Sequence, residues 1–230
     1  ERKSVTYHTV GSNHYSPSSG TKLIKILVSG DAWMDPSTFR VMFDLVNDGA
    51  NDTALRVLGG PHSFFKRLRV LCNGAIVEDI DDYARVSEMF SIMTSSNSRI
   101  NDAAEAFGTV WDVADFRAST LNAATFNGIL AGESQTVLFK PLCGILAQPK
   151  FLPLRYSPLT LELELTSEAT EPIVSKLVTI NPDPLTDFTS ANTSVSWHIE
   201  NVMVKVDICV LDNALDNSYA EHLLSGKALP

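Results

Sequence analysis

The feature that most constrains this chain is the run from Thr160 to Thr166, in which Leu161, Leu163 and Leu165 alternate with Glu162 and Glu164. Successive side chains of a strand point to opposite faces, so the three leucines share one face and the two glutamates the other. A helix would scatter the same residues around its axis. The run is therefore a strand with one buried and one wet face, the pattern of an antiparallel sheet, and its leucine face needs a second layer to cover it.

Other segments repeat the period. Thr21 to Val28 is an apolar run interrupted by Lys22 and Lys25, and Phe39, Val41, Phe43 and Leu45 fall on one face after the turn Asp35-Pro36-Ser37. Leu68, Val70 and Cys72 alternate with Arg67 and Arg69, and Asn73-Gly74 follows them. An Asn-Gly pair between apolar runs is the strongest short hairpin signal, because both turn residues must take positive φ. Lys66 to Glu78 is thus expected to be a β-hairpin. Gln135 to Phe139 is a further short strand. In the region from Val195 to Leu211, Trp197 and Ile199 are in one phase and Val202, Val204, Val206, Ile208 and Val210 in the other. A bulge at Glu200-Asn201 would account for the change of phase.

Helices are few. Asp81 or Asp82 can cap one on which Tyr83, Val86, Phe90 and Met93 share a face. Ser218 and Glu221 have capping-box spacing and predict another near 218 to 225. Residues 94–133 and 167–194 are long connections. The expected architecture is all-β: an antiparallel jelly-roll sandwich of about eight strands with two short helices and long inter-strand loops. Residues 1–20 read as an N-terminal arm, 21–212 as the jelly-roll domain and 213–230 as a helical linker.

Charge and chemistry narrow the function. The net charge is -9 and the sequence pI about 5.0, so there is no broad basic surface to grip nucleic acid. The short basic clusters are Arg2-Lys3, Lys22 with Lys25, and Lys66-Arg67-Arg69. They are expected to be solvated faces, with at most weak contact to DNA from the N-terminal arm. Cys72, Cys143 and Cys209 are far apart and odd in number, so no disulfide framework follows. No two of His8, His14, His62, His198 and His222 lie two or four residues apart, which leaves no local metal pair. Glu162 and Glu164 would sit about 7 Å apart on one strand face, within reach of acid–base work, but a solvated face uses such a pair more often. Nucleophile-elbow and phosphate-loop motifs are missing, and no apolar run reaches the length of a membrane span. The expectation is a protein with no enzymatic activity, no cofactor and no bound metal.

Three stretches together resemble one family. They run from Leu58-Gly-Gly-Pro-His-Ser-Phe-Phe-Lys-Arg to Met89-Phe90, from Phe151-Leu-Pro-Leu-Arg-Tyr-Ser-Pro to Leu165, and from Leu211-Asp-Asn-Ala-Leu-Asp-Asn-Ser-Tyr to Pro230. The opening strands around Trp33-Met-Asp-Pro-Ser fit as well. In this order they are similar to the double jelly-roll major capsid proteins of polinton-like viruses and related small eukaryotic DNA viruses. The resemblance implies an N-terminal jelly roll whose residues 213–230 lead to a second jelly roll not in this chain. It implies trimeric pseudo-hexagonal capsomers of an icosahedral virion, assembled inside the host cell, with copies of itself, neighbouring capsomers and penton or minor capsid proteins as partners. Apolar side chains on the long loops, Phe107, Trp111, Phe116, Phe126 and Phe188, are the candidate subunit contacts. The alternative is a jelly-roll carbohydrate-binding or adhesion module.

Overall fold

The computed structural model describes residues 1–19, 22–51, 53–107, 128–173 and 193–226. In chain order the strands are β1 (Arg2–His8), β2 (His14–Tyr15), β3 (Leu23–Val28), β4 (Trp33–Met34), β5 (Arg40–Asn47), β6 (Ala54–Leu55), β7 (Phe65–Cys72), β8 (Ala75–Ile80), β9 (Ile129–Leu130), β10 (Ser134–Phe139), β11 (Leu152–Pro153), β12 (Leu159–Leu165) and β13 (Trp197–Cys209). The α-helices among the described residues are α1 (Tyr83–Met93), α2 (Ser96–Ala104), α3 (Gly144–Ala147) and α4 (Asn213–Leu224).

Two antiparallel sheets form the sandwich. In the first, β13 is central: β5 and β4 run in succession along one edge of it, β1 and β2 along the other. The outer side of β5 pairs with β10, and that of β4 with β11. The second sheet has the order β3-β12-β7-β8. Because β1/β2, β4/β5 and β10/β11 are broken halves of single rows, each sheet is four rows wide. That is the eight-row jelly roll the alternation predicts. A small pair, β6 with β9, lies apart from the two sheets.

The core lies between the inner faces. Ile24, Ile26 and Val28 of β3 and Leu161, Leu163 and Leu165 of β12 are buried on one side. Val41, Phe43 and Leu45 of β5 and Val202, Val204, Val206 and Ile208 of β13 are buried on the other. One end is aromatic: Phe43 meets Phe64, Phe65 and Phe139 edge-on, with Phe43 and Phe65 centroids 5.8 Å apart, and Phe64 meets Trp197 at 4.8 Å. Such edge contacts add about 0.5–1.5 kcal/mol each to the burial of the rings. The Trp197 indole N–H donates to the carbonyl of Ala169, so its one polar atom is satisfied.

The turn Asn73-Gly74 closes β7 and β8 with φ of +49° and +81°, as an Asn-Gly hairpin requires. The register of β13 against β5 shifts between Glu200 and Met203, where Asn201 takes φ +53°. This bulge turns both apolar phases of β13 onto the same core.

Several expectations are corrected. The first half of the N-terminal arm is a sheet strand: β1 pairs with β13 over its full length, and Val5 and Tyr7 pack against the core. Its polar composition hides the alternation. Asp82 precedes α1 in a left-handed conformation, φ +49°, and its side chain caps nothing; its carbonyl instead accepts from the Arg85 and Val86 amides. The N-terminal half of α1 is held, with Tyr83 and Ser87 buried, and Phe90 and Met93 stay exposed. The last helix begins five residues before Ser218, because Asp212 receives the Ala214 amide at 3.4 Å. A second helix, α2, and the short α3 raise the count of helices above the two expected.

Candidate assembly surfaces

Several described side chains that could do chemistry instead have partners within the sandwich. Among the described residues there is no group of three or more His, Cys, Asp or Glu that could hold a metal. His198 lies against Asp48 at 2.7 Å and Glu200 at 3.7 Å, and its ring meets that of His14 at 4.1 Å with a tilt of 34°. His62 pairs with Glu88 at 3.2 Å, while burial, the larger effect, lowers its pKa. The three cysteines are free thiols. Cys143 is pushed up to about 12, first by burial and then by the Glu78 carboxylate beside it. A thiol held protonated in this way is a poor nucleophile. Glu78 itself accepts the amides of Gly144 and Ile145, at 2.9 and 2.5 Å, and so caps α3.

Five cations of the basic clusters, Arg2, Lys22, Lys25, Arg67 and Arg69, have local partners. Arg2 pairs with Asp35 at 2.9 Å and Asp207 at 2.8 Å, and Lys22 donates to the Ser167 carbonyl. Arg67 makes two hydrogen bonds to Asp79, at 2.7 and 2.6 Å, which hold the Asp79 carboxyl below the usual carboxylate range. Arg69 reaches Glu162 at 2.9 Å and Lys25 reaches it from the other side at 3.5 Å. Cations matched in this way leave few counterions to release to a phosphate backbone.

These pairs form one row on the outer face of the second sheet. In register the row is Lys25, Glu162, Arg69, Asp79, one residue from each strand of β3-β12-β7-β8. Arg67 closes it diagonally onto Asp79. The wet face expected for Glu162 is thus corrected: flanking Lys25 and Arg69 cover it, and it is 8% exposed. The next row toward the hairpin is apolar, with Leu27, Thr160, Leu71 and Ile76 in register. Val77 is the extra residue of a bulge in β8 and lies beside Ile76. Leu23 flanks the charged row on the other side, opposite Glu164 and Arg67.

A second apolar surface lies on α1, where Met89, Phe90, Ile92 and Met93 are all exposed. Phe90 also lines an open groove of about 590 Å³ between α1, α2 and β10, together with Arg40, His62, Arg99 and Phe107. Of the candidate contact residues, Phe107 packs at the margin of its own core, with its ring 5.9 Å from that of Phe64. Trp111, Phe116, Phe126 and Phe188 lie outside the described residues. Sequence reasoning missed the outer face of the second sheet as a surface. The signal was present in β3, where Leu23 and Leu27 are out of phase with the buried Ile24, Ile26 and Val28.

At the far end of the sandwich, α4 is docked. Tyr219 meets Trp33 edge-on at 4.4 Å, and Arg155 bridges Asp216 at 2.9 Å and Asp31 at 3.5 Å. No described helix is long and apolar enough to cross a membrane.

Two four-row antiparallel sheets enclosing one core define a jelly roll of the kind found in viral capsid proteins. Among solved structures, the chain is similar to VP54 of PBCV-1, fitted into a reconstruction of the virophage Sputnik, with a TM-score of 0.56 and 14% identity. It is similar as well to a chain of the quasi-atomic model of the PBCV-1 virus capsid, with a TM-score of 0.53 and 15% identity. In both cases 96% of this chain overlays 44% of the other, so it spans less than half the length of the capsid chains it matches. No protein-family model and no curated protein matches the sequence. The fold is therefore the one the resemblance in sequence implied.

Proposed function

We propose that this chain is a structural component of an icosahedral viral capsid, the first jelly roll of a double jelly-roll subunit that forms trimeric pseudo-hexagonal capsomers. The observation that carries this reading is the overlay of nearly the whole chain on part of the PBCV-1 capsid chains. Its physical support is a two-sheet sandwich in which Arg2, Lys25, Arg67, Arg69 and Arg155 are matched by carboxylates of the same chain. In this reading residues 213–230 lead to a second jelly roll, and α4 sets the angle between the two by its docking on Trp33 and Arg155. The virion is its location, assembled inside the host cell. Its partners are copies of itself, neighbouring capsomers and penton or minor capsid proteins. Phe107, Trp111, Phe116, Phe126 and Phe188 serve as subunit contacts.

Sedimentation velocity tests the reading. Three copies of the 25.1 kDa chain should sediment together at high concentration. Trp111→Ala should weaken that species and leave the melting temperature of the monomer unchanged. A chain that stays monomeric and binds an immobilised glycan would overturn the reading in favour of a carbohydrate-binding module.

A further inference from the structure

Self-association poses an electrostatic problem for this chain, because each copy carries a formal charge of -9. Two like-charged copies meet most easily through faces that carry no net charge. The outer face of the β3-β12-β7-β8 sheet is such a face. Lys25, Arg67 and Arg69 are balanced there by Glu162, Glu164 and Asp79. Burial of a charge at an interface is costly chiefly when its partner is missing. Here the partners lie within the same sheet, and Glu162 has already lost most of its water on folding.

The balanced row is flanked by apolar side chains that face solvent. Leu23 and Leu27 are 41% and 47% exposed, Ile76 and Val77 56% and 48%. A nucleic acid would find Lys25, Arg67 and Arg69 on this face already paired with carboxylates, and a basic partner would be drawn to the acidic surface elsewhere. Addition of a strand to the free edge of β8 is opposed by the bulge at Val77, which breaks the ladder. What the face suits is a second flat surface of the same neutral, partly apolar kind.

We propose that the outer face of the β3-β12-β7-β8 sheet is a contact surface for a second copy of this chain, with Leu27, Ile76 and Val77 as its apolar part and the Lys25–Glu162–Arg69–Asp79 row as its neutral part. The proposal rests on the reading of the chain as self-assembling, and names the face by which copies meet.

Sedimentation equilibrium of the whole chain over a wide concentration range tests it, with three variants beside the parent. Ile76→Glu should weaken self-association by about tenfold or more without changing the melting temperature. Lys25→Glu makes the face acidic, so it should weaken association at low salt and recover in strong salt, where the Debye length shrinks to about 3 Å. Met89→Glu on α1 should associate like the parent. Should Ile76→Glu prove destabilised, Leu27→Gln, which removes an exposed apolar side chain of the same face and no charge partner, takes its place. If both sheet variants associate like the parent, the proposal fails and self-assembly stands. If Met89→Glu alone weakens association, the contact is on α1 and the proposal fails in the same way. A parent that stays monomeric throughout overturns the proposal together with the self-assembly reading.

Discussion

Asn13 and Asn201, 188 residues apart, exchange two hydrogen bonds: the Asn13 side-chain amide donates to Asn201 Oδ1, and the Asn201 backbone amide donates to Asn13 Oδ1, both at 3.0 Å. Asn201 also donates to Asp44 Oδ2 at 2.8 Å. The bulge in β13 therefore faces the gap between β1 and β2, and one asparagine fastens the N-terminal segment and β5 to it. Asparagine is among the few residues that tolerate its φ of +53°.

Substitutions at this position separate conformation from contact. Asn201→Gly keeps the positive φ but loses the side-chain bonds, and should cost about 1 kcal/mol. Asn201→Ala loses both and should cost about 1 kcal/mol more. Limited proteolysis should cut residues 11–13 faster in both variants, since Asn13 loses a side-chain partner there, while Thr9 and Val10 stay held on β3 by the Thr9–Ile26 bridge and the bond from the Val10 amide to the Lys25 carbonyl. Unchanged cleavage would show that the pairing of β1 and the contacts of Thr9 and Val10 with β3 are enough to hold the segment.

Leu163 tests the core. It is fully buried at the centre of β12, between Ile24 of β3 and Leu68 of β7 in register. Leu163→Ala should lower stability by roughly 2–5 kcal/mol, and Leu163→Asp, which buries an unpaired charge, should prevent folding or cost at least as much. Chemical denaturation followed by tryptophan fluorescence measures both.

The parts of the fold written in short-range pattern were legible in the sequence. Leu161, Leu163 and Leu165 marked β12, Asn73-Gly74 the hairpin, and the phase change at Glu200-Asn201 the bulge. The parts that depend on distant partners were not. Nothing local to Arg2–His8 shows that β13 offers it an edge, and nothing near Glu162 shows that Lys25 and Arg69 will cover it. The start of α4 depended on Asp212 and on the docking of Tyr219 against Trp33, while the local capping pattern pointed to Ser218. The surfaces were hardest to read, because exposure of Ile76 or Met89 is a property of the assembled sheets and helices.

Acid should loosen the N-terminus. The Asp35 carboxyl is held below the usual carboxylate range, first by the Ser37 hydroxyl, then by the Ser37 amide and Arg2. A carboxylate with a depressed folded pKa stabilises the fold above its unfolded value, near 4, and loses that contribution as pH falls through the folded value. Parent stability should thus decline below about pH 4, where Arg2 loses its charged partner. Asp35→Asn should be less stable at neutral pH and show a shallower decline in acid, measured as melting temperature against pH. A variant whose acid profile parallels that of the parent would remove Asp35 as a cause.

Thiol chemistry offers a check on the interior. Cys143 is 3% exposed and its pKa is raised to about 12, whereas Cys72 and Cys209 are half-buried at strand ends. Only a thiolate attacks an alkylating or disulfide reagent. At pH 8 the native protein should label at Cys72 and Cys209, with Cys143 joining only on denaturation. Mass mapping of the labelled peptides reads the order directly, and early labelling of Cys143 would show that the α3 region opens.

The charged row on the second sheet should contribute modestly to stability, in a way that salt can reveal. Glu162 is nearly covered, but Lys25 and Arg69 keep side-chain exposures of 50% and 28%, so water still reaches the cationic ends. A pair of this kind lies between exposed ion pairs, at roughly 0–1 kcal/mol, and fully buried ones, where removal of one partner costs roughly 3–5 kcal/mol. Glu162→Gln keeps the shape and removes the charge, and should cost about 1–2 kcal/mol. Arg69→Met should cost a similar amount, and the double variant less than the two together, because each single change strands the other's partner. Strong salt should narrow the gap between parent and Glu162→Gln. Equal stability of parent and Glu162→Gln at low salt would show that Lys25 and Arg69 contribute to this face by packing alone.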